Sequence, residues 1–307
     1  MFNKNIEVRK LDHENIIQVG TKSETTKLVE DFYTKNPFPN YDDLETVHDL
    51  RQKIEVNEFT SNFKKFCGFG KKIIEVGSGT SQLSIALASG TNNQVVAFDS
   101  TLESLRLGVS FAEQNRIDNC TFVNGDIFAD PFIPKYFDIV WCSGVLHHTK
   151  SAKEGFSLIV NWAKPDGYII IGLYNKYGRM RTVFRQILFR LLGKGNFARL
   201  IVSFLDPILR KSISKQKKLA WIQDQYEHPV ETLHTLDEVL GWFDENNVEF
   251  ISSIPSSDMK TVDYKDMFNI QSRGDLPTRV LSQISMLFSP LGAEGGLFLV
   301  IGKKKKF

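Results

Sequence analysis

Between residues 71 and 175, short runs of β-branched and aliphatic residues alternate with helix-like stretches. This alternation predicts a doubly wound, mostly parallel sheet. The strands fall at 72–76, 94–98, 121–123, 137–142 and 168–173, the last following the turn Lys164-Pro165-Asp166-Gly167. Their near-continuous apolar character implies burial on both faces. The crossover helices are expected at 81–89 and at 102–115, the second behind a capping box Ser100-x-x-Glu103. Past the fifth strand, Phe184, Ile187, Leu188, Leu191, Ile201, Phe204 and Leu209 recur at roughly helical spacing among basic residues. Thr235-x-x-Glu238 then opens another helix, followed by a strand at 248–254 and an apolar run at 297–301 that can form an antiparallel edge pair. The intervening 255–296 is too long for a plain connection and reads as a lid or a small helical excursion. The expected organisation is therefore an N-terminal helical or extended cover (1–70), a core (71–175), a basic helical insertion (176–234), and the rest of the core sheet (235–307) carrying the lid-like 255–296.

Composition narrows this picture. With 42% hydrophobic and 24% charged residues, the 307-residue chain must bury a real core, which excludes disorder and small disulfide scaffolds. A formal net charge of +2 argues against a global attraction to nucleic acid or anionic lipid. The charge is unevenly spread: residues 176–218 hold twelve basic residues and one acid, Asp206, for a local +11 that leaves −9 on the rest. Apolar residues interleave this segment too densely for a purely solvated patch. A lid over the active site or a homo-oligomer face ranks first, with contact to a membrane surface or nucleic acid as less favoured readings. The lysines at 303–306 read as a solvated chain end. Cys67, Cys120 and Cys142 have no paired metal-type spacing, which suits core positions in a reducing cytoplasm and gives no metal site. The opening MFNKNIEVRK lacks the apolar centre of a secretory signal, and the uncharged stretch 280–293 is shorter than the roughly 20 residues of a bilayer-spanning helix. A soluble, cytoplasmic protein is expected.

The chemistry concentrates where the first core strand runs through Glu75-Val76-Gly77-Ser78-Gly79 into the first crossover helix. Glycines at a strand's carboxyl end let a ligand approach the backbone, and the amides beyond them can bind an anionic group. Asp99 ends the next strand, 24 residues after Glu75, where an acid can accept both hydrogen bonds of a ribose diol. Asp126, in Gly125-Asp126-Ile127, ends the third strand. A single such acid is commonly a helix cap, but three adjacent strand ends in this order converge on one crevice. The dinucleotide pattern G-x-G-x-x-G fails, because its sixth position is Gln82, too bulky for close packing of helix on strand.

Taken together, these motifs resemble the class I S-adenosylmethionine-dependent methyltransferases. The resemblance rests on the E-x-G-x-G loop at 75–79, the strand-end Asp99, the Gly125-Asp126-Ile127 motif, and Phe-Asp-Ile-Val at 137–140 leading into Ser-Gly-Val-Leu-His-His at 143–148. It implies a Rossmann-like α/β fold, a seven-stranded sheet with a reversed C-terminal hairpin, and S-adenosyl-L-methionine as cofactor, with S-adenosyl-L-homocysteine as product. Carried over, Gly77 and Gly79 pack on the methionyl part, Asp99 holds the ribose hydroxyls, and Asp126 meets the adenine amine with Ile127 on its face. Glu75, Ser78, Ser100 and Ser143 complete the set, and Tyr33 reaches it from the N-terminal cover. Ser81 stands where the loop often has a third glycine.

The acceptor is less legible. Methyl transfer from a sulfonium is an in-line displacement, so the protein chiefly aligns the reactants and supplies a base where the acceptor needs one. His147 and His148 follow the fourth strand at the mouth of the crevice and are candidate bases; Tyr174 and Asn175 could orient an acceptor. Asn36-Pro37-Phe38-Pro39 looks like the signature of enzymes acting on exocyclic base amines, but that signature follows the fourth strand, where this chain has Cys142-Ser143-Gly144-Val145. The stretch 31–43, including Tyr33 and Tyr41, reads instead as a proline-stiffened cover over the cofactor. Asp224-Gln225-Tyr226-Glu227-His228-Pro229, with 36–41 and Trp242-Phe243, is similar to a group of bacterial methyltransferases. Tyr226 and His228 either line the acceptor pocket or seat the insertion on the core. The expected activity is methyl transfer to a small-molecule acceptor, with tRNA or protein methylation, or a catalytically silent cofactor-binding protein, as alternatives.

Overall fold

The computed structural model describes residues 1–11, 14–35, 46–193, 195–211, 215–289 and 295–306. The stretch Asn36-Pro37-Phe38-Pro39 and Tyr41 therefore lie outside the described residues.

In chain order the elements are β1 (Val8–Lys10), β2 (Ile16–Val19), α1 (Glu24–Lys35), α2 (Val47–Val56), α3 (Glu58–Cys67), β3 (Lys72–Val76), α4 (Gln82–Ala88), β4 (Gln94–Asp99), α5 (Leu102–Gln114), β5 (Cys120–Gly125), β6 (Phe137–Ser143), α6 (Ala152–Trp162) and β7 (Ala163–Tyr174). The chain continues through α7 (Met180–Leu191), α8 (Asn196–Leu205), α9 (Lys215–Ile222), a π-helical turn (Gln223–Glu227), α10 (Leu236–Glu245), β8 (Val248–Ile254), α11 (Leu276–Ser285) and β9 (Leu297–Lys304). They build a sheet ordered β1-β2-β5-β4-β3-β6-β7-β9-β8. From β2 to β7 all neighbours run parallel; β1 is antiparallel to β2, and β9 is antiparallel to both β7 and β8.

The sheet has nine strands rather than the seven expected, because residues 8–19 add β1 and β2 beyond β5. Ile16 and Val19 supply the reason: both are buried, so the short polar-looking segment still brings apolar side chains to the open edge. Gly125 makes the pairing possible. It lies opposite Val19 in register, and a Cβ there would come within 2.6 Å of the Val19 methyl.

Two apolar layers sandwich the strands, as their run-like composition requires. One packs Val76, Phe98 and Val140 against Phe156, Trp162 and Phe243 from α6 and α10. The other packs Ile73, Ala97 and Trp141 against Phe59 and Phe63 of α3 and Ile85 of α4. All three cysteines are free and buried, and burial pushes their thiols up.

Two local expectations need correction. The Ser100–Glu103 capping box does not form: α5 starts at Leu102 as expected, but its N-cap is Thr101, whose side chain makes no cap, and the Asp99 carboxylate takes the Thr101 N–H. The 303–306 tail is not simply solvated, since β9 runs to Lys304. The buried Lys304 ammonium donates to the carbonyls of Val160, Asn161 and Ala163, and Lys303 and Lys306 pair with Asp166. Three carbonyls at a helix end replace the water that this ammonium loses.

Candidate active site

The chain builds β4 and β5 to one side of β3, then crosses to its other side for β6 and β7. A crevice opens above the carboxyl ends of the strands where the direction reverses. A cavity of about 400 Å³ occupies it.

The turn after β3 is shaped by backbone conformation. Gly77 has φ +72°, and a Cβ on it would sit 2.1 Å from a Val145 methyl, so only glycine fits. Ser81, at the start of α4, also adopts a left-handed φ of +65°, which is why a glycine is at home there. Its hydroxyl lies 3.2 Å from that of Ser78.

Three carboxylates ring the cavity at the strand ends. Glu75 accepts from the backbone N–H of Ser84 at 2.8 Å and from its hydroxyl. Burial nevertheless raises its pKa to about 8; the Ser84 bonds oppose the rise and Asp99 adds to it. Asp99 accepts the Gly79 N–H and the Thr101 N–H, each at 2.7 Å, and burial raises its pKa despite both bonds. Asp126 accepts the Phe128 N–H at 3.0 Å and the Ser23 N–H at 2.8 Å. The last bond ties the start of α1 to the rim.

A fourth carboxylate comes from the insertion. Within the π-helical turn, Asp224 takes the Tyr33 hydroxyl at 3.0 Å and the Gln225 amide at 2.7 Å, and Gln225 also donates to the Tyr174 hydroxyl at 3.0 Å. Burial and the neighbouring Asp224 both hold the Tyr33 phenol well above its usual range. Arg179 fastens this wall from behind. Its guanidinium lies over the Tyr174 ring at 3.4 Å and bonds to both Glu231 carboxylate oxygens, to Gln225 and to the Gly295 carbonyl.

Every expected cofactor residue lines this one cavity: Tyr33, Glu75, Gly77, Ser78, Gly79, Asp99, Ser100, Asp126, Ile127 and Ser143. His148 and Tyr174 line it too. His148 holds its Nδ1 2.7 Å from the Val230 carbonyl, which places the proton on Nδ1 and a lone pair on Nε2; burial lowers its pKa to about 4.

The remaining candidates lie elsewhere. His147 is fully buried behind His148, its ring 4.0 Å from that of Tyr174, and neither of its nitrogens finds a partner among the described residues. Tyr226 turns away and donates to the buried Asp206 at 2.6 Å. His228 stacks on His148 at 3.7 Å without lining the cavity, and its Nδ1 accepts the Val230 N–H. Asn175 is buried, and its side-chain oxygen takes the N–H groups of Tyr177 and Gly178. In the motif 224–229, the residues facing the cavity are thus Asp224 and Gln225 rather than Tyr226 and His228, together with Trp221 just before it. Only the hydrogen-bonded wall distinguishes them; Thr26 and Val29 of α1 join the lining in the same way.

Among the described residues no group of three or more His, Cys, Asp or Glu is placed to hold a metal ion, and no helix is long and apolar enough to cross a membrane.

A glycine turn after β3, acids at the ends of β4 and β5, and an antiparallel β9 inserted between β7 and β8 define the class I S-adenosylmethionine-dependent methyltransferase fold. The family described as Methyltransferase domain matches residues 69–223, half of the chain, and the chain belongs to that family. It is 23% identical over 105 residues to the uncharacterized methyltransferase YcgJ of Bacillus subtilis (strain 168), a match spanning 34% of this chain and 41% of that relative. Among solved structures it is similar to PKMT2 from Rickettsia typhi in complex with AdoHcy, with a TM-score of 0.57 and 13% identity, over 82% of this chain and 53% of that one. It is also similar to magnesium protoporphyrin IX methyltransferase (ChlM) from Synechocystis PCC 6803 with bound SAH, with a TM-score of 0.52 and 13% identity, over 92% of this chain and 100% of that one. At such identities the two structures attest the fold.

Proposed function

We propose that the chain transfers the methyl group of S-adenosylmethionine to a small-molecule acceptor whose reacting end is neutral or cationic. The observation carrying this reading is one continuous cavity. It runs from the glycine turn and strand-end acids to a wall made by Trp221, Asp224, Gln225 and Tyr174, so that a cofactor and an acceptor can meet inside it. The residues fit that cofactor. Asp99 spends one lone pair of each oxygen on a backbone N–H and keeps others for a ribose diol. Asp126 and Ile127 offer an acceptor and an apolar face for a base, and Gly77 leaves the strand end open to the methionyl part. Two fold neighbours carry the demethylated product. When bound, the cofactor supplies a sulfonium-linked methyl group.

The chain's own contribution is alignment, exclusion of water and management of one proton. Tyr33 and Asp224 join α1 to the insertion across the cavity. His148, neutral at physiological pH, presents Nε2 as the atom able to take a proton from the acceptor. The lining includes Glu75, Asp99, Asp126 and Asp224 but no Lys or Arg among the described residues. A phosphate or carboxylate on the acceptor would therefore enter unpaired, at a large desolvation cost. A neutral or ammonium group would not.

Calorimetric titration with S-adenosylhomocysteine and with NADH tests the cofactor. The homocysteine compound alone should bind, and Asp99→Ala should weaken it by about 10- to 100-fold, the worth of hydrogen bonds to a charged group; NADH binding in its place would overturn the reading. Incubation of a cell extract with radiolabelled S-adenosylmethionine then separates the acceptor classes. Label in the low-mass fraction, reduced by His148→Ala without loss of cofactor affinity, is the expected result. Label confined to protein or RNA would point to the macromolecular alternative.

A further inference from the structure

Two apolar faces run along the hairpin of α7 and α8, and only one of them is covered. Inward, Phe189, Ala198 and Val202 join Leu209, Ile222 and Tyr226 in a small cluster separate from the main core. Outward, Met180, Phe184, Ile187 and Leu191 repeat at helical spacing along α7, with Phe184 66% and Leu191 79% exposed. Phe197, Leu200 and Phe204 do the same along α8, Phe204 being 75% exposed. Single exposed apolar residues need no explanation, but two adjacent stripes of this kind on one hairpin form a patch that does.

The charges around the stripes identify what covers them. Arg181, Arg190, Arg210 and Lys211 are exposed and have no carboxylate partner among the described residues. The one acid of residues 176–218, Asp206, is buried and occupied by the Trp221 and Tyr226 donors, with the Arg185 guanidinium 3.6 Å away. The outward face is thus apolar along its middle and cationic at its margins, with no anion of its own. A second copy docked by twofold symmetry would bring like charges together. A nucleic acid would meet the cations but leave the phenylalanines against phosphate. An anionic lipid surface satisfies both, since the stripe enters the acyl boundary while the cations remain among the headgroups.

We propose that the α7–α8 hairpin docks the protein peripherally on an anionic lipid bilayer. Gln186 of α7 donates to the Gln225 carbonyl at 2.8 Å, so the helix that carries the docked face is bonded to one wall of the cavity. The proposal does not depend on the methyl-transfer reading.

Co-sedimentation of the full chain with phosphatidylcholine vesicles, with and without phosphatidylglycerol, tests it over a sodium chloride series. Binding should require phosphatidylglycerol, weaken as salt rises, and fall by about tenfold or more in Phe184→Ser/Phe204→Ser, with circular dichroism confirming an unchanged fold. Arg181→Glu/Arg190→Glu, which alters only exposed side chains, should lose binding to a similar extent and is decisive if the apolar variant does not fold. Failure to sediment with either vesicle at low salt would overturn the proposal, as would equal binding to pure phosphatidylcholine or unchanged binding by the charge variant. So would a dimer in light scattering that the apolar variant disperses.

Discussion

Glu75 is a carboxyl group in an apolar strand, and its protonation is coupled to folding. The folded chain holds its proton up to about pH 8, whereas the unfolded chain releases it near the ordinary value of 4.5. Between those two values the native state binds the extra proton, so this group's contribution to stability falls as pH rises and levels off above about pH 8. Glu75→Gln carries no titrating proton and should lack this decline. Urea denaturation of both proteins at several pH values should therefore find the variant gaining on the wild type as pH rises across that window. Parallel stability curves would show that Glu75 is ionised in the native state. His148 behaves in the opposite sense: with its pKa lowered to about 4 it stays neutral through the physiological range. The turnover of the enzyme should accordingly show no acidic limb near the ordinary histidine value of 6.5, and such a limb in the pH–rate profile would exclude His148 as the neutral proton acceptor.

Two short elements set the geometry of the site. In the turn between β3 and α4, Gly77→Ala would combine a left-handed φ with a contact of 2.1 Å on Val145. A loss of about 2–4 kcal/mol of unfolding free energy is expected from strain plus overpacking, measured by chemical denaturation, with a loss within about 0.5 kcal/mol speaking against the described turn. In the insertion, the π-helical turn Gln223–Glu227 decides which side chains of one motif face the cavity. The wider turn rotates the side chains that come after it around the helix axis, and such turns are frequent at functional sites. Asp224 and Gln225 face the cavity while Tyr226 is directed to Asp206. Residue types alone singled out Tyr226 and His228 within that motif, either to line the pocket or to seat the insertion, and the register of the turn was not legible from them. The strand-end residues were legible, because β3, β4 and β5 are buried on both faces and each strand ends where its apolar run stops.

At the scale of the molecule, Arg179 joins parts that are distant in sequence. It is fully buried, pairs with Glu231, reaches Gln225 and the Gly295 carbonyl, and stacks on Tyr174 at the end of β7. Removing one member of a buried pair leaves the other charge unmatched. Arg179→Met should thus destabilise the protein by about 3–5 kcal/mol, and Arg179→Met/Glu231→Gln should recover part of that loss. Equal unfolding free energies for the single and double variants would mean that the pair is not coupled. The cavity wall should fail together with it, since Gln225 takes its orientation from the same guanidinium.

Local sequence determined the parallel core, the glycine turn, the three strand-end acids and the helices with their apolar faces, because each depends on neighbours within a few residues. Thr235-x-x-Glu238 is of this kind and forms the capping box its spacing promises, whereas Lys164-Pro165-Asp166-Gly167, expected as a turn before the strand, lies within β7 where its pairing with β6 is irregular. What only the tertiary structure decided depends on contacts between distant segments. Ile16 and Val19 extend the sheet because β5 has an open edge. Lys304 is buried because the end of α6 offers it carbonyls. Asp224 belongs to the cavity because α1 brings Tyr33 to it across 191 residues of chain. Such pairings carry no periodicity of their own, and so leave no mark in the order of the residues.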